Sequence, residues 1–259
     1  MLKEKLKKLY SYRHALLGMA LKQLKAKYTA SFLGIFWAVI NPLLVMSAIS
    51  FVFTVIFKVE IKNFPLFILS GIYPWLFFST ALSEASSAIL NRQTILRQFN
   101  LPREILPLSS CLSNFINFLI GWFVIYPVFL FFNPRIIIFL PLLVFIFLLN
   151  FIFLCGLSLS LSILNIFFRD LEHMLGTLLM FWLWVTPVFY SINMIPEKFR
   201  WICNLNPLTP YIVSYSDVLY QGIMPSFTTL IGIFLLAVVS IISGWLLFLR
   251  LETEILKRI

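Results

Sequence analysis

Residues Lys27–Pro42 read KYTASFLGIFWAVINP, and within them the chain changes character. Eight Lys and Arg residues precede Ser31, and the next charge after that serine is Lys58. A run that long without charge reads as a helix in lipid, which needs about 20 mostly apolar residues. The composition extends this reading to the whole chain. Of 259 residues, 61% are hydrophobic and 12% are charged, whereas typical soluble domains carry about 25% charged residues. That excess of apolar residues is more than a soluble core of this size requires, so much of it faces lipid.

Five stretches are long, apolar and almost free of charge: Leu33–Phe57, Phe64–Leu82, Leu108–Phe132, Ile136–Phe168 and Phe227–Leu249. A sixth, Met174–Tyr190, is shorter and uncharged. Lipid offers backbone N–H and C=O groups no partner, so each span has to be helical. The short alternating segments of a transmembrane barrel are missing. The predicted fold is therefore an all-α membrane protein with six transmembrane helices. The first 30 residues are too charged for a cleaved signal peptide.

Charge sets the orientation, because Lys and Arg collect on the cytoplasmic side. With both termini inside, the inner segments hold the eight leading cations, Arg92, Arg97, Arg103, Arg169, Arg250, Lys257 and Arg258. The outer loops hold only Lys58, Lys62, Arg135, Lys198 and Arg200. The same asymmetry accounts for the net charge of +10, so no nucleic-acid partner is implied.

Two parts divide the chain. Residues 1–30 form a basic amphipathic interface helix. Its Leu2, Leu6, Leu9, Leu16, Leu17, Ala20, Leu21, Leu24 and Tyr28 recur at helical steps, and it suits the anionic cytoplasmic leaflet. Simple anchoring and contact with a partner both fit this pattern. Residues 31–259 form the six-span domain. The fourth span is too long to cross upright, and its face with Cys155, Ser158 and Ser162 favours close helix packing. Residues 191–226 carry Trp201, Tyr211, Tyr215 and Tyr220 and four prolines. Structureless loops of that length are uncommon, so short interfacial or re-entrant helices are expected there, as an outer gate segment.

Chemistry of its own is sparse. The chain has no phosphate-cradling G-x-x-x-x-G-K-[ST], no H-E-x-x-H and no G-x-S-x-G. Cys111, Cys155 and Cys203 lack metal-type spacing. The span centres hold none of the carboxylates usual in ion-driven transporters. These features predict no enzyme, no catalytic residue, no metal and no bound cofactor. Transport would draw on energy supplied by a partner.

Several motifs then carry a resemblance. Lys27, Tyr28, Ser31, Leu33, Gly34, Trp37 and Pro42 resemble the start of the first span in permease subunits of polysaccharide-exporting ABC transporters. Ile95–Pro107 (ILRQFNLPREILP) resembles that family's cytoplasmic segment between spans two and three, and Asn165–Leu171 (NIFFRDL) its Arg-Asp turn. TPVFYSINMIP and NLNPLTPY resemble its outer loop, although Ser216 stands where that family often has Arg. The resemblance implies a permease of the O-antigen, capsule or teichoic-acid type in the inner (cytoplasmic) membrane. It implies a second copy of the chain and two ATP-binding cassette subunits, which bind ATP and Mg. It also implies a lipid-linked polysaccharide as cargo.

Within that frame, residues 91–107 are expected to couple to the ATPase through Arg92, Arg97, Phe99, Pro102, Arg103 and Glu104, with Arg169 and Asp170 beside them. Asp170 and Arg169 equally suit capping of a span end. Aromatic faces stack on sugar rings, so Phe36, Trp37, Phe181, Trp182, Trp184 and Tyr190 are the candidate lining of the path. Pro187, Pro196, Asn206 and Pro207 mark the outer gate. Two other functions compete: an ABC permease for a small molecule or drug, and a membrane-bound glycosyl- or phosphotransferase built on Asp170, Glu172 and His173.

Overall fold

The computed structural model describes residues 7, 9–29, 31–98, 101–168 and 170–258, and the side chains of all of these but 95–97 and 253–258. Its described elements are all helical. Helix α1, Arg13–Tyr28, is followed by a 3-10 turn at Gly34–Phe36 and by α2, Trp37–Phe51, which continues through a π-helical turn at Val52–Ile56. Next come α3 (Phe64–Ser86), the short α4 (Gln93–Gln98), α5 (Ile105–Phe132), a 3-10 stretch at Pro134–Phe139 and α6 (Leu140–Phe167). The chain ends through α7 (Leu171–Val185), α8 (Arg200–Leu205), α9 (Thr209–Ser216), a π-helical turn at Asp217–Gln221 and α10 (Phe227–Arg258). Pro65, Pro141 and Pro210 sit in the first turns of α3, α6 and α9, where the N–H that proline lacks has no helical partner anyway.

Five helical segments are long and apolar enough to cross a membrane: Gly34–Ile56, Phe64–Ser86, Ile105–Phe132, Pro134–Phe167 and Phe227–Glu252. They correspond to the five long apolar stretches of the sequence. The sixth stretch forms α7, whose 15 residues extend about 22 Å at roughly 1.5 Å per residue. That is less than the roughly 30 Å hydrocarbon core. The chain turns extended at Thr186, so the uncharged residues through Tyr190 do not lengthen this helix.

Helix α3 is the hub: 78% of its most apolar stretch is buried, against 11% for that of the Gly34–Ile56 span. Its Tyr73 and Phe77 stack on Phe118 of α5 at ring distances of 5.1 and 4.5 Å, and Trp122 stacks on Phe147 of α6 at 5.4 Å. Much of the aromatic content therefore builds one interior layer between α3, α5 and α6. Other aromatics, such as Phe123 and Phe131, stand outward on the apolar rim.

The broadest helix–helix contact joins α6 and α10. It passes at Gly156, where an added Cβ would meet the backbone of Ser240 and Ile241, and at Gly244, where it would meet Gly156 itself. Ser158 and Ser162 are fully buried on another side of α6, and Cys155 Sγ lies 3.7 Å from Cys111 Sγ of α5. At roughly 100° per residue the face with Cys155, Ser158 and Ser162 points away from Gly156, so the close crossing with α10 uses a different side of the helix from the one expected.

Helix α1 lies along α5 and buries Ala20 and Leu24. Leu17 and Leu21 stay 45% and 47% exposed. The apolar residues read from the sequence as one stripe thus split between the protein and its surroundings. Leu2 and Leu6 lie outside the described residues.

Candidate functional site

One end of the bundle holds a polar cavity of about 500 Å³ between α1, α2, α3 and α5. Spacing along α5 explains its wall. Asn114 and Asn117, which line it, fall three residues apart in a mostly apolar helix, with Ser110 one turn before them on the same face. Opposite them stand Lys27 and Tyr28 at the end of α1, and Glu84 near the end of α3.

These groups form a closed set of bonds. The Lys27 ammonium lies 2.8 Å from Glu84 Oε1 and donates to Asn114 Oδ1 at 2.7 Å. Asn114 Nδ2 donates to Glu84 Oε2 at 2.8 Å. The Tyr28 hydroxyl donates to Asn117 Oδ1. Burial pushes the Tyr28 phenol above its usual pKa; the Asn117 hydrogen bond opposes this and the Glu84 charge adds to it. Charges balance within the set, so the cavity is polar without a strong net field.

A second set of bonds ties the cavity wall to the next segment. Arg92 donates to Ser110 Oγ at 3.0 Å, Ser110 Oγ donates to Gln23 Oε1 at 3.0 Å, and Gln23 Nε2 donates to Ser109 Oγ at 2.9 Å. Arg92, α5 and α1 are thereby one hydrogen-bonded unit. Burial lowers the Arg92 pKa, and Glu84 opposes that shift. Arg103 reaches the far end of α10, donating to the Glu252 carbonyl at 3.1 Å. Glu104 is buried beside the start of α5, and Pro102 is half-buried. Phe99 and Arg169 lie outside the described residues, as does the Arg97 side chain. Asp170 is exposed at the start of α7, and its side chain makes no capping hydrogen bond.

The six aromatic candidates separate. Trp37 lines the cavity and donates to Ser31 Oγ at 3.1 Å. Phe36, Phe181 and Trp184 are 67%, 69% and 56% exposed on the bundle surface. Trp182 turns inward: its ring meets Phe78 edge-on, and its Nε1 donates to Asn206 Oδ1 at 2.8 Å. Tyr190 donates to the Trp184 carbonyl at 3.0 Å.

The opposite end of the bundle carries the segment after α7. Asn206 is buried and bonds Trp182, Thr186 and the Leu208 amide, so it fixes α7 to α9. Pro187 is buried, Pro207 half-buried and Pro196 exposed. Residues 191–226 do form short helical pieces, and α9 is packed against α3, α6 and α10 with Tyr211 and Tyr215 buried. Among the described residues no three His, Cys, Asp or Glu side chains gather to hold a metal. Glu84, Asn114 and Asn117 were absent from the sequence-derived candidates. Their signal was present as polar residues at helical spacing inside an apolar span.

A multi-pass helical membrane protein with a polar, charge-balanced cavity at one end of its bundle is the class that this fold and site define. The chain belongs to the ABC-2 type transporter family, which matches residues 14–220. It is 31% identical over 248 residues to a Myxococcus xanthus protein named O-antigen export system permease protein RfbA, covering 92% of each. Two Klebsiella pneumoniae proteins of the same name are 36% and 32% identical over 208 and 209 residues. These matches cover 78% of this chain, and 78% and 79% of the relatives.

Proposed function

We propose that this chain is the permease half of an ABC exporter that moves a lipid-linked, O-antigen-like polysaccharide across the inner membrane. The observation that carries the proposal is its 31% identity, across 92% of its length, to an O-antigen export permease. Its physical form supports the same reading: there are five long apolar helices, one of them the buried hub α3, with a polar cavity at the Lys27 end.

Six spans cross the membrane in this proposal, with α7 and the residues after it completing the fifth in sequence order. Both termini are cytoplasmic. The distribution of Lys and Arg supports this orientation, as the inner segments then hold most of the cations. Leu17 and Leu21 of α1 meet lipid while Ala20 and Leu24 meet α5.

Energy comes from two ATP-binding cassette subunits, which supply ATP and Mg chemistry. Residues 91–107 receive the push. Their mechanical link is the bond series from Arg92 through Ser110 to Gln23, and from Arg103 to the α10 backbone. A displacement of this segment therefore reaches the cavity wall and α10 together.

One copy buries its centre in packed aromatic rings, which leaves no through-path for a hydrated sugar chain. Two copies around an axis supply the width, using the same surface twice. Of the six candidate rings, Phe36, Trp37, Phe181 and Trp184 are exposed and available to stack on passing sugars, while Trp182 serves the fold.

The experiment is co-purification of the chain with a candidate ATP-binding cassette subunit from the same cell, followed by mass determination of the assembly. A two-plus-two complex that hydrolyses ATP is expected. A monomer with no associated ATPase overturns the assignment.

A further inference from the structure

At the end of α3 opposite Glu84, a cavity of about 270 Å³ lies between Phe67, Tyr190 and the turn after α9. We infer that this cavity is a saccharide subsite, sized for one pyranose ring of the exported chain on the outer face. The inference rests on the polysaccharide-export reading above and adds a specific outer site to it.

Local backbone form builds the site. The π-helical turn Asp217–Gln221 widens the helix, and such turns are often found at functional sites. It brings residues four apart onto one side, and Gln221 Nε2 donates to Asp217 Oδ1 at 2.9 Å. The turn is braced from several directions. The Asp217 carbonyl accepts from the Gly222 and Ile223 amides. Gly222 has φ 66°, and any side chain there would strike the Asn133 amide. Tyr220 donates to the Lys62 carbonyl. A carboxylate and a carboxamide are thus presented together on a fixed support.

The lining matches a sugar better than other ligands. Asp217 and Gln221 accept from and donate to adjacent ring hydroxyls, and Asn193 and Ser216 add further polar atoms. Phe67 and Tyr190 offer apolar surface to the C–H groups of the ring. A few placed polar groups among apolar ones is the usual composition of a small-molecule site. The volume falls just below the roughly 300 Å³ at which drug-sized pockets begin, so one ring fits and a longer fragment does not.

Burial raises the pKa of the half-buried Asp217. Among the described residues it has no ion pair, so its acceptor capacity is not taken by a cation. A hard metal would want six or more oxygens and usually several carboxylates, and the cavity holds one carboxylate.

The test has two stages. First, the gene is deleted and surface polysaccharides are compared. Loss of one polysaccharide upholds the export reading; loss of none removes that reading and the subsite with it. Second, water-soluble fragments of that polysaccharide, released by mild acid, are mixed with the permease–ATPase complex in nanodiscs. Saturation-transfer NMR reads contact with ring protons. Transfer to the wild-type complex is expected, with at least a fivefold reduction in Asp217→Asn and in Gln221→Glu. The exposed Lys198→Ala variant should match wild type. Melting curves confirm that each variant is folded, and Gln221, being exposed, serves if Asp217→Asn is not. No transfer to wild type, or equal transfer to a folded Asp217 or Gln221 variant, overturns the subsite while leaving the export reading intact.

Discussion

Replacing Gly156 by Ala should loosen the bundle where the backbones of α6 and α10 cross closely. The added Cβ would come within 2.5 Å of the Ile241 backbone nitrogen and closer still to the Ser240 carbonyl group. Ordinary contacts lie near 3.5–4.0 Å, so α6 and α10 have to separate by about 1 Å. Every clashing atom is backbone, and no side chain can rotate away to relieve the strain. Overpacking of this kind costs about 1–3 kcal/mol. The same separation stretches the bond from Ser240 Oγ to the Phe153 carbonyl, now 2.8 Å, and such bonds in membranes contribute about 0.6 kcal/mol. The expected total is about 2–4 kcal/mol. Gly176 in α7 is the matched control, because a Cβ there meets nothing within 4 Å. Gly176→Ala should be neutral or gain up to about 1 kcal/mol from helix propensity. Reversible unfolding of both variants in mixed micelles provides the comparison. A Gly156→Ala protein within about 0.5 kcal/mol of wild type would refute the close crossing.

Three further outcomes follow from the site. In a double-mutant cycle, Lys27→Met and Glu84→Gln should show a coupling of about 1–2 kcal/mol, held down by solvent because the two side chains are 23% and 38% exposed; additive effects would dissolve the Lys27–Glu84–Asn114 set. Arg103→Glu should lower ATP-driven export while the chain still folds and assembles, since it breaks the tie to the Glu252 carbonyl; export at the wild-type rate would remove the coupling role. Trp37→Ala should lower export without changing dimer mass, and an unchanged rate would take Trp37 off the path.

Much of the fold could be read from hydropathy, because lipid forces long uncharged stretches into helices. The boundaries of Phe64–Ser86 and Ile105–Phe132 lie within a few residues of the apolar runs. The stretch from Met174 is only partly helical, for a local reason. It is uncharged through Tyr190, but the chain becomes extended at Thr186, and the Trp182 indole and the Thr186 hydroxyl are both bonded to Asn206. An uncharged run thus includes a helix stop that composition does not mark. The cavity was half legible. Lys27, Tyr28 and Trp37 stand in the opening motif, whereas Glu84, Asn114 and Asn117 come from helices that only the fold brings alongside. Trp182 is the opposite case. The sequence offers it as a candidate lining residue together with Phe181 and Trp184, but helical rotation turns its ring toward Phe78.

The central claim is that this chain carries polysaccharide outward using a partner's ATP. Inverted vesicles containing the permease, its ATPase subunit and radiolabelled lipid-linked polysaccharide test it directly. The account predicts ATP-dependent protection of the polysaccharide from added glycosidase, abolished when the permease is omitted. Equal protection without the permease, or none with the complete complex and ATP, would contradict it.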